Sequence, residues 1–338
     1  MAQDRRSQEM MQYYKREKLQ APGLDMIVSA KTSVGNVIKN DLYSNAKLCL
    51  FGSAVSGFGA AGCDADLTLW FPDSSHDEYS DKARAVEILR KLERHLKGMG
   101  LSSPIVVTNV TLVPATTAVP ILKMRHVRHR TEIDLNIDVT GGVLDSYLQK
   151  LYVEEDGRVG PLGFIVKQWA KQNGICNPRE GTLNSMSWVL MAINYMQVVG
   201  QLKVVFEAPG HIGWHNLSRH VNIAQVEENL LGGRSHLHVF NRQVNGQLVG
   251  TSSLGDLLQG FFAYYADFNF ENTKIAVRTG SAPRRQMSME KIYIEGPEKG
   301  TNTASAVTVS GFNKIRDKLR RARNILSRNE SWMNIMAP

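Results

Sequence analysis

Cysteine is scarce in this sequence: Cys49, Cys63 and Cys176 are the only three among 338 residues, and no two form a C-x-x-C pair. That spacing argues against a disulfide framework or a Cys-based zinc site and points to a reducing compartment. Long apolar runs are missing as well. The most apolar stretch, Met186 to Val199, is too short to span a bilayer and contains Asn194 and Gln197. The N-terminal MAQDRRSQEM is charged and has no apolar signal-peptide core. Internal repeats and low-complexity tracts are lacking too. These absences lead to the expectation of an intracellular, cytoplasmic protein (RNA granules included) with no membrane association.

The composition that is present is that of a folded chain, with 43% hydrophobic and 21% charged residues. Disordered and collagen-like classes are thereby excluded, and the length suits two domains, each with its own core. Lys and Arg number 40 against 32 Asp and Glu, a net charge of +8 that suits a polyanionic partner without identifying one.

Spacing divides the chain. Residues 4–19 and 24–39 have helical periodicity. Lys47 to Phe51 is a short apolar run closed by Gly52, and Cys63 to Phe71 alternates in strand fashion up to Pro72. An amphipathic helix is predicted over 81–98, and strands at Ile105–Val113, Val119–Arg125 and Glu132–Val139. From about Leu148 onward the pattern is helical: 160–173, 183–199, 254–268 and a basic final helix over 312–328. The segment 200–250 reads as long loops.

Gly57-Phe58-Gly59-Ala60-Ala61-Gly62 satisfies G-x-G-x-x-G, but its third glycine leads into a strand. With no helix starting there to hold a pyrophosphate, the dinucleotide reading fails. More telling is Asp64-Ala65-Asp66, where two carboxylates at i and i+2 project from one strand face. Such like charges repel unless cations neutralise them, and hard oxygen ligands suit Mg²⁺. Asp134 sits in a similar strand. Three carboxylates can hold two metals roughly 3.5–4 Å apart, the arrangement for in-line nucleotidyl transfer. Gly52 and Ser53 offer close backbone approach and a hydroxyl to phosphate oxygens.

Gly52-Ser53, Asp64-x-Asp66 and Asp134 resemble the signature of the DNA polymerase β-type nucleotidyltransferases. Further motifs follow in order: Lys167-x-Trp169-Ala170-Lys171, Gly181-Thr182-Leu183-Asn184-Ser185, Leu254-Gly255-Asp256-Leu257-Leu258 with Phe261-Phe262 and Tyr264-Tyr265-Ala266, and Ile294-Glu295-Gly296-Pro297 with Asn302-Thr303-Ala304. Together they resemble the cytoplasmic poly(A)/poly(U) polymerases, the RNA-specific terminal nucleotidyltransferases, and within them the adenylating germline-type branch. The resemblance implies an α+β fold: a nucleotidyltransferase catalytic domain over 45–146, a mixed sheet with helices, and a mainly helical central domain from 1–44 and 147–338. It places the active site in the cleft between them.

The resemblance also implies the roles. Asp64, Asp66 and Asp134 are catalytic and hold two Mg²⁺ ions, with Mn²⁺ as a substitute. Ser53, Lys167, Lys171 and Ser185 grip the triphosphate beside Gly52. Asp145 and Ser146 stand where the family usually has Asn-Thr near the ribose, and Met186 where a tyrosine usually stacks on the base. Asn302 belongs to the nucleotide-recognition loop, in which Gly296 and Glu298 depart from the family pattern. The expected reaction is template-independent addition of ribonucleotides to RNA 3′ ends with ATP as first-choice substrate. UTP or mixed U and G incorporation is the alternative, followed by a catalytically weak scaffold or a non-RNA acceptor. Arg125, Arg128 and Arg130, in the basic run 123–130, are the expected RNA contacts, and the last helix adds Lys314 to Arg323. No sequence-reading RNA module is evident, so a protein adaptor is expected to supply targeting.

Overall fold

A computed structural model describes residues 2–72, 82–99, 106–113, 119–204, 206–207, 221–232, 241–242, 250–286, 288–296, 301–328 and 330–337. The chain forms two compact units: one from Lys18–Leu151 with Asn216–Val239, the other from Met1–Glu17, Tyr152–His215 and Phe240–Pro338.

The first unit is built on a five-stranded sheet of order β1-β2-β5-β4-β3. Its strands are β1 (Lys47–Phe51), β2 (Ala65–Trp70), β3 (Val107–Val113), β4 (Ile121–His126) and β5 (Glu132–Ile137). Only β2 and β5 pair in parallel, and the other neighbours are antiparallel. Period-two alternation sets neighbouring cross-strand rows on opposite faces. One row, Leu50–Leu67–Leu135–Leu122–Leu112, is apolar, and its first four members are inaccessible to solvent. The next row, Phe51–Asp66–Asp134–Lys123–Thr111, carries the charges. The sequence thus separates core from chemistry at single-residue resolution.

Helix α2 (Ala21–Asp41) packs on β1 and β2, burying Ile27, Ala30, Val34 and Ile38 at helical spacing. Short α3 (Ser53–Ser56) follows β1. Helix α4 (Lys82–Gly98) packs on β3, β4 and β5 through Ala85, Ile88, Leu89, Leu92 and Leu96. Helix α5 (Thr140–Glu155) leads out of the sheet. Two segments depart from the expected division. Residues of α2 belong with the sheet, and so does a helix at Ile223–Gly232 that the sequence reads as loop. Its Glu227, buried at 4% exposure, accepts the Leu50 N–H at 2.7 Å and pairs with the Lys31 ammonium. A buried carboxylate is tolerable there because both donors satisfy it.

The second unit is helical: α1 (Ala2–Glu17), α6 (Val159–Gln172), α7 (Ser185–Val198), α9 (Leu254–Ala266) and α10 (Val309–Ser327), with the Ile223–Gly232 helix numbered α8. Helix α7 is buried from Ser187 to Gln197, which explains the apolar stretch seen in sequence: it is a central core helix. Among the described residues no helix is long and apolar enough to cross a membrane. Trp169 of α6 stacks edge-on against Trp188 of α7 and Phe262 of α9 at 5.3 and 4.6 Å. Tyr265 sits in the same core, donating its hydroxyl to the Met191 carbonyl at 3.0 Å, and burial holds its pKa well above 10. Two short strands, β6 (Ile275–Ala276) and β7 (Ile294–Glu295), pair in parallel beside α7.

Helix α9 opens with a capping box between Ser253 and Asp256, so the aspartate of the L-G-D-L-L motif closes a helix end. Ser253→Ala is expected to lower stability by about 1 kcal/mol, seen as a reduced urea midpoint at unchanged m-value.

Candidate active site

In the sheet unit the site is built around the end of β1. Gly52 has φ +77° and ψ −155°, outside the regions open to side-chain-bearing residues. A Cβ there would lie 2.2 Å from Asp66 Oδ2. Asp66 packs directly on this glycine, so the turn is cut to fit the carboxylate. The Gly52 N–H donates to Ser146 Oγ at 2.8 Å, and that hydroxyl donates on to the Gly142 carbonyl at 2.7 Å. Ser146 is 3% exposed. Expected near a ribose, it lies buried beneath the Gly52 turn, its hydroxyl engaged on both sides. Asp145, one residue earlier, is half-buried.

Ser53 is half-buried at the start of α3. Asp64 is exposed just before β2, and Asp66 faces Asp134 in register across the parallel pair. The buried Thr68 hydroxyl accepts the Val139 N–H at 2.9 Å, tying the ends of β2 and β5 together. Lys123, opposite Asp134 on β4, donates to both of its carboxylate oxygens at 2.7 Å. Sequence reasoning placed Lys123 only in a basic run; the register of β4 against β5 puts it on the third carboxylate. The donor set of three carboxylates suits a hard divalent cation in kind. Among the described residues no three His, Cys, Asp or Glu side chains form a ready-made ligand cluster, and Asp134 is engaged by Lys123.

The basic run splits likewise. Arg125 pairs with Glu132 at 3.2 Å, while Arg128 and Arg130 are exposed where the chain turns between β4 and β5. His126 and His129 stack at 5.0 Å, and His126 Nδ1 accepts the His129 N–H. Burial, then His129 and Arg128, lower the His126 pKa.

The helical unit carries the other expected residues. On α6, Lys167 is 2% exposed and Lys171, one turn on, is exposed. Gly181, at φ +72°, is pressed against α10: a Cβ would meet Thr308 Oγ1 at 2.4 Å, and the Thr308 N–H donates to its carbonyl at 3.0 Å. Asn184 then caps α7 by accepting the Ser187 N–H at 2.7 Å and donates to the Thr303 carbonyl at 3.1 Å. The helix start is thereby bound to the recognition loop. Ser185 and Met186 follow, half-buried, with the Ser185 hydroxyl 3.3 Å from Cys176 Sγ, whose pKa burial raises.

Asn302 is held within its own loop. Its Oδ1 accepts the N–H groups of Ile294 and Ala304 at 3.0 and 2.9 Å, and its Nδ2 donates to the Ile292 carbonyl at 2.9 Å. It staples the loop's backbone and its acceptor oxygen is fully engaged, so it shapes the loop from within. Glu295 beside it is buried and neutralised by Lys274 at 2.8 Å and by Arg278. Pro297 and Glu298 lie outside the described residues.

A mixed five-stranded sheet that sets a glycine-serine turn against a carboxylate row is the arrangement expected of a nucleotidyltransferase. Residues 7–154 match the family described as poly(A) RNA polymerase, mitochondrial-like, central palm domain, and residues 253–304 match the Cid1 family poly A polymerase. Poly(A) RNA polymerase GLD2 of Mus musculus is 30% identical over 348 residues, covering 100% of this chain and 67% of that protein. Among solved structures, the GLD-2/RNP-8 complex superposes with a TM-score of 0.78 at 23% identity, covering 99% of this chain and 98% of that one. The structure of mtPAP in complex with UTP gives 0.76 at 22% identity, with 98% and 73% coverage. The chain belongs to the poly(A)/poly(U) polymerase family of RNA 3′-terminal nucleotidyltransferases.

Proposed function

We propose that this chain adds ribonucleotides to RNA 3′ ends without a template, with ATP as preferred substrate. One observation carries the reading: Asp66 and Asp134 stand side by side in the sheet register, immediately behind the Gly52 turn. In this reading Asp64, Asp66 and Asp134 would hold two divalent cations, Mg²⁺ first and Mn²⁺ as a substitute. When bound, such ions supply positive charge to the triphosphate and acidify the attacking 3′-hydroxyl.

The chain's own groups do the rest. Gly52 admits the triphosphate close to backbone, and the Ser53 hydroxyl donates to it. Lys167 and Lys171, at i and i+4 on α6, neutralise phosphate charge, and the Ser185 hydroxyl at the start of α7 adds a further donor. Asp145 accepts from a ribose hydroxyl. Met186 lies against the base as a polarisable but unspecific surface. Attack of the RNA 3′-oxygen on the α-phosphorus forms the new phosphodiester as the bond to pyrophosphate breaks.

The adenylating preference is supported by the GLD2 relatives, which are named as poly(A) polymerases. That mtPAP has been solved with UTP and also with GTP keeps mixed incorporation as the second reading. A related enzyme solved as the GLD-2/RNP-8 complex supports a protein adaptor here too, and cytoplasmic location is part of the same proposal.

The test is purified protein with Mg²⁺, an unstructured RNA and each nucleoside triphosphate alone, then all four together with tails sequenced. Adenosine tails are expected. Uridine or mixed tails would shift the reading to the second one, and ATP consumption with no RNA extension would overturn both. For the RNA track, Arg128→Ala with Arg130→Ala is expected to weaken RNA binding several-fold and to reduce the salt slope by about one to two units, roughly 0.7 per phosphate contact on a single strand. Arg125→Ala, already paired with Glu132, should change affinity far less. Equal effects from all three would remove the distinction.

A further inference from the structure

Asp134, the last of the three expected metal-binding carboxylates, is engaged by the protein itself. Lys123 Nζ lies 2.7 Å from both oxygens of Asp134, a two-pronged pair whose side chains are 43% and 22% exposed. Cross-strand register makes this arrangement systematic, because Asp66, Asp134 and Lys123 stand next to one another on β2, β5 and β4. An ammonium engaging both oxygens offsets the repulsion between Asp134 and Asp66 across the parallel pair. It also takes one acceptor site on each oxygen, out of about four on the carboxylate, and puts a positive charge where a divalent ion would sit.

We propose that Lys123 is a positioning residue that competes with a divalent cation for Asp134. In the resting protein it holds Asp134, so that a divalent cation has to displace the ammonium before this carboxylate can serve it. The lysine stem is flexible, and its head can swing from one oxygen or leave altogether when a doubly charged ion arrives. Full occupation of the carboxylate row is therefore conditional. It becomes favourable only when further ligands, from the triphosphate and the RNA terminus, add to the attraction of Asp134. The proposal rests on the reading of Asp134 as a metal ligand.

The experiment is a Mn²⁺ titration of the full chain without RNA or nucleotide, following the loss of the free-ion signal by electron paramagnetic resonance. Lys123→Met should bind Mn²⁺ at least about fivefold tighter than wild type, a difference of roughly 1 kcal/mol. Lys123→Arg, which keeps the cation, should stay within about twofold of wild type. Adding Asp134→Asn to Lys123→Met should abolish the gain. The same ordering is expected in the rise of melting temperature at a fixed Mn²⁺ concentration. Lys123→Gln serves where the methionine variant does not fold, with the same tightening expected. Unchanged or weaker Mn²⁺ binding by a folded Lys123→Met or Lys123→Gln overturns the competition. If Asp66→Asn and Asp134→Asn both bind Mn²⁺ as wild type does, the metal reading itself fails, whatever Lys123 does.

Discussion

Asp66→Ala is expected to reduce RNA 3′-extension by about a thousandfold or more, since metal-assisted charge stabilisation supplies several kcal/mol and each ~1.4 kcal/mol is tenfold in rate. Asp66 is the middle of the arrangement. It touches the space above Gly52, faces Asp134 in register and stands two residues from Asp64. Fold stability should change little, because the residue is half-buried on the charged row and contributes nothing to the leucine row behind it. Extension assays and a thermal melt on the same preparation check both halves. A variant keeping more than a tenth of wild-type activity would remove Asp66 from the catalytic set.

Gly52→Ala is the second large effect, and it acts through the same carboxylate from the other side. The backbone at φ +77°, ψ −155° costs a side-chain-bearing residue about 1–3 kcal/mol. The new methyl would also have to displace Asp66 Oδ2, which lies 2.2 Å from its position. Activity is expected to fall at least ~100-fold, in line with the loss that follows about 1 Å of misplacement. The melting temperature should fall by only a few degrees. Gly62 provides the control. It also has positive φ, +72°, but nothing lies within 4 Å of the place its methyl group would take, so Gly62→Ala should lose stability while keeping activity. If Gly52→Ala and Gly62→Ala behave alike, the close fit to Asp66 is not what matters.

Much of this arrangement was legible from local pattern. The run Lys47–Phe51 is β1 with the expected ends, and the alternation through Asp64–Asp66 marks the face that carries the carboxylates. The 3.6-residue period located α4 and α6 to within a residue or two at each end. What escaped was decided by long-range pairing. Lys123 read as one of several basic residues, and only the antiparallel register with β5 puts it on Asp134. Ser146 and Asn302 occupy motif positions, yet a motif does not distinguish a ligand contact from a hydrogen bond to backbone. Both hold the turns that the motif needs. Helix α8 was missed because its surroundings, rich in His, Asn and Gly, mask a ten-residue amphipathic segment. The affiliation of α2 was missed because its buried stripe fits either a helix layer or a sheet.

Glu227 has a consequence in the order of synthesis. It seals β1 by accepting the Leu50 N–H, yet it lies 177 residues further along the chain. At about 5–20 residues per second, a ribosome needs roughly 10–35 s to travel that distance. For that interval the growing chain displays β1 with its outer edge uncapped, an open template for pairing with other chains. The strand that leads into the Gly52 turn is thus sealed late, by a segment translated long after it.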